Sequence, residues 1–180
     1  MKSAKKTINQ PLVSITDGKL VGEIKDFYFD TQEAMMVSVV TGQKGLISPK
    51  SLIVERDAVQ IFGQDVWLLR DADVVQELSR ESGETRYQFM HDITGREITT
   101  SGETKVGTVG DVWLDEEARV VGFGLDKVFM KGPIAEKKFI PLEAVRDWGI
   151  RAMGLGGQDN PMVVDLSVIE STQQPEQGSE

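Results

Sequence analysis

Residues 19–30, KLVGEIKDFYFD, are answered by residues 104–115, TKVGTVGDVWLD. Val21, Gly22, Asp26 and Asp30 match Val106, Gly107, Asp111 and Asp115 at a constant offset of 85. Apolar positions match between the identities: Ile24 with Val109, Phe27 with Val112, Tyr28 with Trp113 and Phe29 with Leu114. In the first copy, apolar and polar residues alternate at close to period two, which reads as a strand, and a disturbance near Asp26 suits a bulge. An acidic turn follows in each copy, at Thr31–Glu33 and at Asp115–Glu117. A partner strand then returns, Met35–Thr41 in the first copy and Val120–Asp126 in the second. Organisation is therefore read per half.

Outward from the repeat, Leu12 starts a short strand and Asp17-Gly18 signals a turn. Gly42–Gly45 reads as a hairpin turn, with Leu46 and Ile47 beginning the return strand. Pro49 ends that strand by removing a backbone donor, and Pro141 is read as its counterpart. Short helical segments are expected at Lys50–Val54, Asp71–Arg80 and Leu142–Trp148, closing strands at Ala58–Ile61 and Ile150–Leu155, and an extension of the sheet at Met162–Leu166. Strands are short, evenly spaced and separated by Gly-bearing turns, an all-β pattern of small barrels or rolls. The expected domains are a flexible N-terminus 1–11, a first domain 12–78, a linker 79–96, a second domain 97–169 and a disordered acidic tail 170–180. Units this small bury only about 60–65% of their unfolded surface, so contact between halves or between chains is expected to support them. A homodimer is one way to supply it.

The net charge of −9 argues against a broad phosphate-backbone contact. Lys2, Lys5 and Lys6 are the one basic cluster, near the N-terminus. With no Cys, disulfides, thiolate ligands and cysteine nucleophiles are excluded. No apolar stretch is long enough for a membrane-spanning helix. Residues 1–11 lack the apolar segment of a signal peptide. A cytoplasmic protein is expected.

The ordered set of strand, acidic turn, hairpin, hydrophobic pair, Pro and short helix resembles the PRC-barrel family. Lys19, Val21, Gly22, Ile24, Asp26, Asp30, Leu46, Ile47 and Pro49 carry the resemblance in the first copy. In the second they are Val106, Gly107, Val109, Asp111, Asp115, Phe139, Ile140 and Pro141. The resemblance covers about 12–75 and 97–166. It implies two tandem PRC-barrel-like β-barrels with short helical segments. It further implies a non-catalytic docking or scaffolding role, as in the photosynthetic reaction centre H subunit or the C-terminal domain of a 16S ribosomal RNA processing factor. The expected partner is a protein, engaged by a module that supports assembly, with a membrane-associated or photosynthetic complex as an extension from the family. A ribosome-maturation adaptor and a small-ligand-binding barrel are the alternatives. No cofactor is implied.

Candidate residues fall into structural and binding sets. Gly22 and Gly107 are expected to permit close backbone approach, Asp26 and Asp111 to accept backbone N–H bonds, and Pro49 and Pro141 to end strands. The acidic turns lack the oxygen density of a Ca²⁺ loop. His91, the one histidine, cannot form a His-rich metal site, and it reads as a linker or interface residue. Gly154-Leu155-Gly156-Gly157 reads as a mobile loop. Tyr28 and Trp113 lie opposite Phe27 and Val112, so they are either buried between halves or exposed to a partner. The long, locally basic loop Lys127–Lys138, KVFMKGPIAEKK, departs most from its counterpart. Insertions on a repeated scaffold tend to mark binding faces, so Phe129, Met130, Lys131 and Ile134 are the candidate partner-binding residues.

Overall fold

The computed structural model describes residues 1–79, 86–150 and 159–171. In chain order the elements begin β1 (Lys2–Ser3), α1 (Ala4–Thr7), β2 (Pro11–Ser14), β3 (Leu20–Glu23), β4 (Asp26–Asp30), β5 (Met35–Lys44) and β6 (Lys50–Glu55). β7 (Val59–Phe62), β8 (Trp67–Leu69), β9 (Val75–Glu77), β10 (Tyr87–Phe89), α2 (Met90–Ile93), β11 (Glu97–Thr100), β12 (Lys105–Leu114) and β13 (Val120–Val128) follow. The last are α3 (Pro133–Lys137), β14 (Phe139–Pro141), β15 (Val145–Asp147), β16 (Met162–Val164) and α4 (Leu166–Ser171). Sheets with short helices thus make up the fold. Two compact units share the chain: Met1–His91 with Leu114–Val120, and Asp92–Trp113 with Val121–Glu180.

The first unit holds sheets ordered β10-β4-β5-β6-β9 and β3-β2-β8-β7. Its core gathers Leu12, Ile24, Phe27, Phe29, Ile53, Trp67 and Leu69, all essentially without solvent exposure. Trp67 packs against Phe27 (5.7 Å between centroids) and edge-on against Phe62 (5.0 Å). Burying each such side chain contributes about 1.5–3 kcal/mol. Leu114–Val120 completes this unit: Met36 N–H donates to Ala118 O (3.0 Å), Val120 N–H to Ala34 O (2.8 Å), and the Arg56 guanidinium to Glu117 O (3.0 and 2.6 Å).

In the second unit the sheet runs β14-β13-β12-β11-β16-β15. Ile98, Val106, Val112, Phe123, Ile140 and Met162 fill its core, and Trp148 meets Phe123 edge-on at 4.9 Å.

The same pairings recur in each unit. β2 pairs antiparallel with β3 and parallel with β8, and β11 pairs antiparallel with β12 and parallel with β16. Register shifts fall at Leu12/Val13 and at Ile98/Thr99, and again at Val59/Ile61 and at Val145/Asp147. Ile24 N–H donates to Gln10 O and Val109 N–H to Arg96 O, each at 2.9 Å.

Several local expectations are corrected. The disturbance placed near Asp26 is a break between β3 and β4, and the register shift lies at Tyr28/Phe29, which lets Phe27, Tyr28 and Phe29 all be buried. The corresponding β12 is unbroken. There Gly110 takes the place of Lys25, and a Cβ at Gly110 would sit 2.8 Å from the Asp126 backbone nitrogen. β5 continues to Lys44, so the β5–β6 turn is 45–49, and Lys50–Val54 is strand, not helix. Pro49 precedes β6 rather than ending a strand, whereas Pro141 ends β14 just before a 3₁₀ turn at Leu142–Ala144. The structural counterpart of that turn is Arg56–Ala58, so the two prolines are not equivalent. Asp71–Arg80 and Leu142–Trp148, read as helices, each hold a single 3₁₀ turn followed by a strand. Extended residues suit Val75 and Val145, whose β-branched side chains favour strand. Within 1–11, read as loose, α1 is capped by Ser3 Oγ accepting from Lys6 N–H, and Ala4 and Thr7 are buried. The strand expected at Ile150–Leu155 meets the description only at Ile150, which bridges Asn160; the remainder lies outside the described residues, as do 80–85 of the linker, Gly154–Gly157 and 172–180 of the tail.

Candidate interaction site

Where β13 ends, the chain leaves the sheet but stays anchored: Phe129 N–H donates to Val106 O at 2.9 Å. The Phe129 side chain is 55% exposed, Lys131 is exposed and Met130 is half-buried. Gly132 then turns with φ +84°, a conformation that L side chains resist, and Pro133 starts α3 at its first position. This Gly-Pro pair is the local signal for α3. The helix closes on Lys138 in the left-handed region (φ 48°), with its N–H on Ile134 O at 2.8 Å. Ile134 is 6% exposed and belongs to the core, which corrects its reading as a binding residue. Helix formation turns Ile134 inward; in an open loop it would have remained a surface residue.

Gly107 is sterically enforced, since a Cβ there would lie 2.2 Å from Lys127 O, on the strand leading to Phe129. Gly22 is not: a Cβ there would meet Thr41 at an ordinary 3.5 Å. Asp26 Oδ1 accepts the Phe27 N–H and Asp111 Oδ1 the Val112 N–H, each at 2.8 Å. Both acidic turns are closed by their leading Asp. Asp30 accepts from Gln32 and Glu33 N–H (2.9 and 3.1 Å), and Asp115 from Glu117 and Arg119 N–H (2.8 and 2.9 Å). Burial pushes the Asp30 carboxyl up, but the Arg86 guanidinium and the turn N–H groups outweigh it and hold it below the usual carboxylate range. Tyr28 is covered by Phe89 (4.6 Å) and Tyr87 (5.8 Å) within the first unit, whereas Trp113 is only half-buried.

Sequence reading did not bring Asp26 and His91 together. The Asp26 carboxylate hydrogen-bonds His91 Nδ1, and the imidazole stacks on Phe89 at 5.2 Å. They line a cleft of about 420 Å³ with Lys25, Gln43 and Ser51. A separation of 65 residues leaves no local signal for this pair. Leu46 and Ile47, expected to begin a return strand, lie instead in the turn that Gly45 and Pro49 bracket. No group of three or more His, Cys, Asp or Glu able to hold a metal ion occurs among the described residues. No helix of the described residues is long and apolar enough to cross a membrane.

Sheets with short helices, an anchored exposed aromatic and closed acidic turns define a β-rich module. Residues 86–153 match the PRC-barrel domain family, so one PRC-barrel domain is identified there. A general, non-catalytic role in protein interaction and scaffolding is typical of that family. The matched segment contains Phe129, Met130, Lys131 and Ile134. The comparison with curated proteins found no match.

Proposed function

We propose that the chain is a protein-interaction or assembly module that engages its partner through the exposed Phe129 and Lys131. The observation that carries this reading is the 55% exposed Phe129 ring, held by a backbone bond within the PRC-barrel domain. Apolar side chains presented on a fixed backbone lose little entropy on binding, and aromatic anchors dominate interface energetics. The recurrence of pairings and register shifts in both units supports a second PRC-barrel-type copy at 12–78 beside that at 97–169. Under this reading each copy is a small barrel and the protein acts in the cytoplasm, where it supports a membrane-associated complex or works as a homodimer.

Affinity capture from the native host with wild type and with Phe129→Ala/Lys131→Ala tests the assignment. Loss of a partner captured by wild type is expected, with an unchanged melting temperature. Equal capture by both proteins removes the assignment. The Asp26–His91 cleft favours a second reading, a small-ligand site, because polar groups converge there beside the Phe89 ring. Ligand-induced shifts of the His91 ring resonances in a metabolite screen support that reading, and an unresponsive ring opposes it.

A further inference from the structure

Among the described residues the two most exposed large apolar side chains are consecutive. Leu46 and Ile47 stand at 103% and 100% exposure in the turn between β5 and β6. A single exposed aliphatic residue is ordinary, but an adjacent pair projecting from a hairpin tip is not. The hairpin is paired out to Lys44↔Lys50, and Gly45–Pro49 beyond it carries no charge. Lys44 and Lys50 therefore form a collar at the base of the tip, and both ammonium groups reach Glu77 on β9, at 3.1 and 3.5 Å. One carboxylate against two ammonium groups leaves the collar locally positive on a chain of net charge −9.

A stable protein interface covers about 800 Å² on each partner. Two projecting side chains supply a small part of that. A lipid surface needs no shape complementarity, only depth and charge. Ile47 is three positions from either lysine, a reach of at most about 10 Å at 3.3 Å per extended residue. Interfacial segments bury their apolar faces about 5–10 Å into the headgroup and acyl boundary. At that depth the lysine stems reach back and leave their ammonium groups at the phosphates.

We propose that the β5–β6 tip inserts Leu46 and Ile47 into the interface of an anionic bilayer, with Lys44 and Lys50 on lipid phosphates. The contact is distinct from the protein site at Phe129 and stands or falls separately. Because the whole chain is acidic, the attraction is confined to the collar and is salt-sensitive.

Flotation of the full chain with vesicles of phosphatidylcholine alone, or of equal parts phosphatidylcholine and phosphatidylglycerol, tests the proposal. Wild type is expected to float with the anionic vesicles. Leu46→Ser/Ile47→Ser lowers the bound fraction about tenfold. Lys44→Gln/Lys50→Gln abolishes the preference for anionic over neutral lipid, and Glu77→Gln strengthens binding. All five side chains lie on the surface, so unchanged circular dichroism and melting accompany these effects. Failure of wild type to float overturns the proposal, as does equal flotation of the Leu46→Ser/Ile47→Ser variant. Tip-dependent binding of a purified protein without any flotation overturns it too, and assigns the tip to a protein groove.

Discussion

Gly107 and Gly22 occupy matching places in the repeat, yet they meet different surroundings. In Gly107→Ala the new Cβ would press on the Lys127 carbonyl, 2.2 Å away. Overpacking of this kind costs about 1–3 kcal/mol, to be read as a lower urea midpoint. Gly22→Ala meets only Thr41 at 3.5 Å, so its change is expected to stay within about 0.5 kcal/mol. Asp30 contributes to the pH dependence of stability. Its folded value lies below its unfolded one, so the stabilisation is complete above the unfolded carboxylate value of about 4 and is lost as pH falls through the folded value. Below about pH 4, wild type should lose stability more steeply than Asp30→Asn, as denaturant titrations at several pH values would measure. Arg86 is partly solvated, so near neutral pH the substitution is expected to cost about 1–3 kcal/mol.

At the scale of elements, α3 separates packing from binding within one short segment. Ile134→Ala removes a buried side chain and is expected to cost about 2–4 kcal/mol, seen as a lower melting temperature. Phe129→Ala, four residues before the helix starts, should leave that temperature nearly unchanged because its ring is mostly solvated. The sequence made the long strands legible because alternation and the offset of 85 are local properties that survive in KLVGEIKDFYFD and TKVGTVGDVWLD. It misled at Pro49, where a residue that breaks strands also suits the run-in to one. The parallel pairing of β2 with β8 joins Leu12 to Trp67, a contact set by packing and carried by no neighbouring residue. For the same reason Tyr28 showed no cover until Tyr87 and Phe89 paired beside it as β10. Of the candidate binding residues, Phe129 and Lys131 are on the surface, while helix formation withdrew Ile134.

For the whole molecule, a net charge of −9 means that self-repulsion opposes compactness. Thermal melting is expected to rise on going from low to physiological salt, as the Debye length shrinks to about 8 Å. Scanning calorimetry at the two ionic strengths checks this; a falling midpoint would show that attractive surface pairs dominate instead. The indole groups are distributed so that each unit carries its own optical label. Trp67 is fully enclosed in the first unit, with no acceptor for its N–H among the described residues, whereas Trp113 and Trp148 belong to the second. Replacing the latter pair with phenylalanine would leave one blue-emitting chromophore shielded from iodide. Its red shift would time the opening of the first unit alone.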